Sequence, residues 1–141
     1  MTFTCTKRFE NIPFAHRAPF HDGQCRFVHG HNWSVELEVQ CETLDKNCFA
    51  FDLGNFEFFK ALLQDFDHAL VLSEADPELE YFKGTPGLFK LVVVPSASCE
   101  GLAQYFHRMA NLYIKANTDN KCHVIRCTVT ESPTNSATYR I

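Results

Sequence analysis

From His29 to Val39 the chain alternates between residues that can face a core and residues that prefer water. This period of two predicts a β-strand with one buried face. Because side chains two positions apart project from the same side of a strand, His29 and His31 should lie on the apolar face. The apolar members of that face are Trp33, Val35, Leu37 and Val39.

Two other stretches have the three- and four-residue spacing of amphipathic helices. The first is expected to start at Asn55, as its N-cap, and to end at Asp67-His68. The second is expected to follow Ser98, whose hydroxyl is suited to capping. The repeating apolar residues are Phe56, Phe59, Leu62, Leu63 and Phe66 in the first helix, and Leu102, Phe106, Met109 and Tyr113 in the second.

The rest of the chain predicts further strands, a loop at 17–28 between the first two strands, and a surface excursion at 73–87. The excursion is acidic at first and then rich in Gly and Pro. Strands and helices mixed in this way indicate an α+β fold. The predicted strands cover residues 2–9, 32–41, 88–94, 122–131 and 137–141.

Length, charge and cysteine usage limit the class of protein. The 141 residues are enough for one domain, which we expect to cover residues 1–141. A net charge of −4 without a Lys/Arg cluster argues against a nucleic-acid partner, and no apolar run approaches the roughly 20 residues that span a bilayer. The seven cysteines are odd in number, lack a Cys-x-x-Cys pair and follow no signal segment, so we expect a reduced, cytoplasmic protein.

Three histidines have the spacing of a metal site. His29 and His31 share one strand face, and His16 follows a second extended stretch whose pairing with that strand would bring it beside them. Gly30 between them allows another backbone to approach closely. Three imidazoles leave a zinc ion one open coordination position, which is the arrangement of a catalytic site. A single strand histidine is usually only a hydrogen-bonded side chain, so the metal prediction depends on all three.

Cys25 and the Asp67-His68 pair can move protons. Cys25 lies in the loop before His29, and a cation held by the histidines would favour its thiolate form. A carboxylate beside an imidazole can orient the ring and raise its basicity, so Asp67 and His68 form a candidate proton relay. The alternative for this pair is a surface or capping role.

Glu131 is a candidate anchor for a heterocycle. It shares strand parity with Ile125, Cys127 and Val129, so its carboxylate should point to the apolar side. A buried carboxylate needs hydrogen-bond donors, and a flat heterocycle with an amino group and a ring N–H supplies two. If the strand frays at this end, Glu131 is instead solvated.

Five motifs, taken in order, resemble the family of 6-pyruvoyltetrahydropterin synthases and 6-carboxytetrahydropterin synthases. The resemblance covers nearly the whole chain. It implies the tunnelling fold, an antiparallel β-sheet with two helices packed on one face, assembled as a homohexamer of two trimers with active sites between subunits. The motifs are Phe14-Ala15-His16, Cys25-x-x-x-His29-Gly30-His31, Asp67-His68 after a helix, a segment similar to Pro-Thr-x-Glu, and Thr130-Glu131.

The resemblance also implies a role for each candidate residue and the use of Zn²⁺ as the cofactor. It implies that the thiol and the Asp-His pair of one active site come from different chains. The implied zinc ligands are His16, His29 and His31; the catalytic groups are Cys25, Asp67 and His68; the pterin anchor is Glu131.

One segment departs from the family pattern. Where members usually carry Pro-Thr-x-Glu, the chain has Ala97-Ser98-Cys99-Glu100, which keeps a hydroxyl and the carboxylate and lacks the proline. Ser98, Cys99 and Glu100 are still expected to bind substrate, and Ser98 can still cap the helix.

The substrate implied by the resemblance is 7,8-dihydroneopterin triphosphate. Release of acetaldehyde and triphosphate would give 6-carboxy-5,6,7,8-tetrahydropterin, a carbon–carbon lyase reaction on the route to queuosine. Within the resemblance, the short chain and the compact Cys-x-x-x-His-Gly-His motif favour this product. The alternatives are a 6-pyruvoyltetrahydropterin product, a zinc hydrolase that uses metal-bound water, and a pterin-binding module without catalysis.

Overall fold

A six-stranded mixed sheet forms the frame of the structure, a computed structural model that describes all residues 1–141. The predicted α+β class is confirmed. The helices are α1 (Glu57–Phe66), α2 (Leu79–Lys83) and α3 (Cys99–Asn117). The strands are β1 (Phe3–His16), β2 (His29–Cys41), β3 (Leu70–Ser73), β4 (Leu91–Val94), β5 (Cys122–Ser132) and β6 (Asn135–Arg140).

The sheet is antiparallel at its centre and parallel at one edge. Its strand order is β4-β3-β1-β2-β5-β6. β1, β2, β5 and β6 pair antiparallel, whereas β3 pairs parallel with both β1 and β4. The sequence pattern predicts no strand at β3, because Leu70, Val71 and Leu72 are all buried and show no alternation.

The alternation along β2 separates a core face from a polar face, as predicted. Trp33, Val35, Leu37 and Val39 are fully buried. On the other face Glu36 and Glu38 both accept hydrogen bonds from Arg126 of β5. Helices α1 and α3 supply the other side of the core, with buried residues that include Phe59, Phe66, Leu102 and Phe106.

Both long helices occur where the sequence predicts them, but only one predicted N-cap is correct. Ser98 Oγ accepts a hydrogen bond from the Gly101 amide at 3.0 Å and caps α3. At α1 the N-cap position is Phe56, with no side-chain cap, and Asn55 lies before it. The Phe56 ring is fully buried and lies 5.6 Å from the Phe9 ring, so apolar packing determines where α1 begins. None of the helices combines the length and apolar character that crossing a membrane requires.

The predicted excursion at 73–87 is mostly exposed, but it is tied to the body of the protein. It contains α2, and its Asp76 is buried against Arg17. The strand expected from residue 88 begins only at Leu91, after a turn.

Two of the seven cysteines differ from the expected reduced state. Cys41 and Cys122 lie directly opposite each other in β2 and β5 and form a disulfide. The pairing follows from strand register, which the sequence pattern does not specify. The free cysteines are Cys5, Cys25, Cys48, Cys99 and Cys127.

Candidate metal centre

His16, His29 and His31 meet at one end of the β1–β2 ladder. His16 lies directly opposite His29, and His31 is two positions further along the same strand face. One potential ligand atom from each residue lies within 4.8 Å of the others. The structure therefore brings together the three residues that the sequence predicts as ligands.

A β-bulge in β1 aims His16 at the other two histidines. Before the bulge the odd-numbered Phe9 faces the core, and after it the even-numbered Ile12, Phe14 and His16 do. The register shifts between Phe9 and Ile12, where Asn11 has a left-handed φ of 59°. Without the extra residue, His16 would project from the opposite face of the sheet.

Two of the three imidazoles carry a buried nitrogen without a hydrogen-bond partner. These atoms are His16 Nε2 and His31 Nε2. A buried polar atom without a partner costs free energy, so its presence indicates a ligand such as a metal. The other nitrogen of His16, Nδ1, donates to the Ala97 carbonyl at 2.7 Å, and His29 Nδ1 donates to the Phe27 carbonyl at 2.7 Å. Backbone partners of this kind orient metal-binding histidines through the nitrogen that does not bind the metal.

Burial favours the neutral form of His16 and His31. Desolvation lowers the pKa of His16 to about 4, although the hydrogen bond to Ala97 acts in the opposite direction. Burial also lowers the pKa of His31, against the raising effect of the Glu131 carboxylate. Neutral imidazole is the form that binds a metal, and three such nitrogens suit zinc with one position left open. The residues present therefore fit the predicted zinc ion.

Glu131 approaches the cluster from β5. Its Oε2 lies 3.9 Å from His31 Nε2, and its side chain is 21% exposed. The carboxylate points to the apolar side, as predicted. The predicted parity holds for Cys127 and Val129 but is wrong for Ile125, because a register shift in β5 puts Val124 in the core instead.

The start of α3 lies next to Glu131. The Cys99 thiol donates to the Val129 carbonyl at 3.3 Å. Burial raises the pKa of Cys99 to about 11, with Glu131 and Glu100 adding to the effect, so this thiol stays protonated. Glu100 itself is exposed.

Cys25 lies on the loop that connects two of the candidate ligands. The loop leaves β1 after His16 and returns to β2 at His29, and Cys25 occupies a 3-10 turn, Gln24–Arg26, within it. The Cys25 carbonyl accepts a hydrogen bond from the Ala18 amide at 2.7 Å, which closes the loop on itself. The Cys25 side chain is exposed.

His68 follows α1 and forms the predicted contact with its neighbour. His68 Nδ1 donates to Asp67 Oδ1, while the His68 amide donates to the Pro13 carbonyl at 2.7 Å. The His68 backbone has a left-handed φ of 63°, and its side chain is 83% exposed. The ring is therefore oriented by Asp67 and free to meet another molecule.

A groove beside His68 is lined by that residue and by neighbouring residues of β1 and β2. Its volume is about 480 Å³. Four of its eight lining residues project, by strand alternation, away from the face that carries His16 and His31, and His31 itself is another lining residue. His68 is not part of the three-histidine cluster of its own chain. The lining residues of opposite parity are Pro13, Ala15, Gly30 and Asn32.

Two contacts beside the cluster are not predicted by the sequence. Arg17 donates from Nε and Nη2 to the Asp76 carboxylate at 2.8 and 2.7 Å, and this guanidinium lowers the pKa of Asp76. Ser73 Oγ accepts a hydrogen bond from the Ala97 amide at 2.8 Å. Nothing in the sequence distinguishes Asp76 from the other acidic residues of the excursion.

Sequence comparison connects the chain to pterin enzymes. A family model described as 6-pyruvoyl tetrahydropterin synthase matches residues 4–141. The chain is 32% identical over 77 residues to a protein named 6-carboxy-5,6,7,8-tetrahydropterin synthase from Rickettsia conorii. That match covers 53% of this chain and 55% of the relative, so the chain spans about half the length of the curated relative it matches.

Solved structures show the same fold. An uncharacterized protein from Wolinella succinogenes matches 99% of this chain and 98% of its own with a TM-score of 0.83 and 16% identity. The 6-pyruvoyl tetrahydropterin synthase of Caenorhabditis elegans matches 100% of this chain and 96% of its own with a TM-score of 0.65 and 21% identity. The tunnelling fold expected from the five motifs is confirmed.

Proposed function

The chain belongs to the 6-pyruvoyl tetrahydropterin synthase family, and from this premise we propose that residues 1–141 form one zinc-dependent 6-carboxy-5,6,7,8-tetrahydropterin synthase domain. In the proposed carbon–carbon lyase reaction, 7,8-dihydroneopterin triphosphate and water give 6-carboxytetrahydropterin, acetaldehyde and triphosphate. The observation that carries the proposal is the three-histidine cluster, with two buried and unpartnered nitrogens, beside the Glu131 carboxylate. The name of the Rickettsia conorii relative supports the choice of product.

His16, His29 and His31 are the proposed zinc ligands. A zinc ion in such a site supplies a Lewis acid for a substrate oxygen at its open position. The chain contributes the orientation of the ligands, because Ala97 and Phe27 hold the rings of His16 and His29 through their Nδ1 atoms. The fully buried Trp33 lies edge-on to His16 and His31 and excludes water from below the cluster.

Glu131 is the proposed pterin anchor. Its carboxylate is largely desolvated, and an ionised carboxylate accepts hydrogen bonds only, so it requires donors. The 2-amino group and the adjacent ring N–H of a pterin provide two parallel donors, which matches the two carboxylate oxygens. Anchoring the ring at Glu131 would place the substrate side chain towards the histidines, since His31 is the neighbour of the carboxylate.

Glu131→Gln is expected to weaken pterin binding by about 10- to 100-fold, because hydrogen bonds to a charged group contribute about 1.5–3 kcal/mol. The substitution keeps the shape of the side chain and replaces one acceptor by a donor. The measurement is fluorescence titration with a substrate-like pterin, and Glu42→Gln, at an exposed loop position, is the matched control. If Glu131→Gln binds the pterin as tightly as the parent does, the ring anchor lies elsewhere.

Cys25 is the proposed proton carrier at the substrate side chain. Its loop is bounded on both sides by candidate ligands, which keeps the thiol tethered near the cluster. Its exposure leaves it free to meet a substrate that enters from solvent. A thiol can take a proton from carbon and return it in a later step.

The Asp67-His68 pair is proposed to serve the active site of a neighbouring subunit. The ring of His68 is exposed and is not part of the histidine cluster of its own chain. The pair is thus available to the cluster of another chain, which supports an assembly with shared sites such as the expected hexamer of two trimers. Asp67 orients the ring so that it can exchange a proton with substrate held by that other chain.

A second candidate product is 6-pyruvoyltetrahydropterin. The description of the matching family model and the name of the Caenorhabditis elegans protein favour it. The residues proposed above serve either reaction, since both begin with proton movement at the same substrate side chain. The two differ in whether acetaldehyde is released.

A further inference from the structure

The segment that runs from Ser73, the last residue of β3, towards β4 contacts two neighbours of His16, which are Ala97 and Arg17. It starts at Ser73, where the Asp76 amide donates to the Ser73 carbonyl at 3.0 Å and forms a tight turn. The Glu74 amide donates to the Val94 carbonyl at 2.9 Å and fixes this turn to β4. Ser73 and Asp76 are thus held as one rigid unit.

The first contact runs from Ser73 to His16 through one backbone position. Ser73 Oγ accepts from the Ala97 amide at 2.8 Å, and the Ala97 carbonyl accepts from His16 Nδ1 at 2.7 Å. Ala97 is fully buried, so its amide has no access to water as a substitute partner. The position of the carbonyl that orients His16 therefore depends on the Ser73 hydroxyl.

The identity of residue 97 gives this contact its importance. Alanine at this buried position has a backbone N–H that must be satisfied. The Ser73 hydroxyl provides both the missing acceptor and a restraint on that backbone.

The second contact holds the residue that follows His16. Arg17 binds both oxygens of Asp76, whose side chain is fully buried, and its guanidinium lies 5.7 Å from the centre of the Phe82 ring. A bidentate pair of this kind fixes direction as well as distance. Ser73 therefore acts on the His16 ring through Ala97, and Asp76 holds Arg17, the residue that follows His16 in the chain.

We infer that Ser73 and Asp76 are positioning residues that hold His16 in its metal-binding orientation. The inference rests on the zinc centre proposed above and extends it to a segment outside the five motifs. Partners in the outer shell of a metal site typically change metal affinity about 10- to 100-fold when they are removed.

The test is the zinc dissociation constant, measured by competition with a chromophoric chelator. Ser73→Ala is expected to raise the dissociation constant by about 10- to 100-fold. Ser73→Thr keeps the hydroxyl and is expected to bind zinc as the parent does. Thr85→Ala is the matched control, because Thr85 Oγ1 bonds only the Phe82 carbonyl within the same segment and has no connection to His16. Asp76→Asn is expected to weaken zinc binding in the same direction as Ser73→Ala.

A purely structural role of the segment would give a different result. Thermal unfolding of the metal-free variants shows whether Ser73→Ala folds, and the visible absorption of the cobalt-loaded variants reports ligand geometry directly. Lower thermal stability with unchanged zinc affinity and an unchanged cobalt spectrum in both Ser73→Ala and Asp76→Asn would overturn the inference. A parent protein that binds no zinc would overturn the metal centre itself, which is a distinguishable failure.

Discussion

Cys25→Ser is expected to lower kcat by about 10²- to 10⁴-fold, the range over which a positioned acid or base accelerates proton transfer. A serine hydroxyl has nearly the shape of the thiol but gives up its proton far less readily, so it cannot carry a proton to and from carbon at neutral pH. Zinc content and pterin binding should stay at the parental level, because Cys25 is neither a proposed ligand nor the ring anchor. Steady-state kinetics, metal analysis and a pterin titration on the same preparation check all three.

Cys48→Ser is the matched control for this variant. Cys48 is also a free, exposed cysteine, but it lies in the loop after β2, away from the histidine cluster along the chain. It should retain parental kcat. Parental turnover in Cys25→Ser would contradict the assignment of the thiol and favour a hydrolase in which metal-bound hydroxide is the reactive group.

His29→Ala is expected to lose zinc and, with it, at least about 10³-fold in kcat/KM, since Lewis-acid assistance contributes several kcal/mol to transition-state stabilisation. Two imidazoles hold zinc much more weakly than three, so elemental analysis should fall from one zinc per chain towards none. His21→Ala removes an exposed imidazole of the Cys25 loop and should keep both zinc and activity. Stoichiometric zinc in His29→Ala would mean that the ligand set is wrong.

The sequence predicts the three-histidine cluster well because the geometry of that cluster is mostly local. His29 and His31 are two positions apart in a strand with strict alternation, so their common face follows from backbone geometry. His16 is harder, because its direction depends on the bulge at Asn11, which shifts strand parity by one. A simple alternation from Phe9 would have aimed it away from the other two.

The features that the sequence does not predict depend on contacts between distant segments. The buried strand Leu70–Ser73 has no alternation, and both of its parallel partners, β1 and β4, are distant from it in sequence. The Phe56 cap of α1 is determined by packing against Phe9. The contacts of Ser73 and Asp76 beside the histidine cluster also join distant segments, because their partners Ala97 and Arg17 are remote in sequence.

The Asp67-His68 pair shows how far a single chain can account for the proposed site. The Asp67-His68 contact forms as the dipeptide suggests, because the residues are neighbours. The pair is not part of the histidine cluster of the same chain, and the backbone of His68 is held by the Pro13 carbonyl of β1. An active site shared between subunits accounts for both observations.

The product formed from 7,8-dihydroneopterin triphosphate tests the proposed activity most directly. The zinc-loaded protein is incubated with this substrate, the pterin is identified by mass spectrometry, and acetaldehyde is assayed in the same sample. We expect the sample to contain 6-carboxytetrahydropterin and an equal amount of acetaldehyde. A pyruvoyl product without acetaldehyde, or tight pterin binding without turnover, would contradict it.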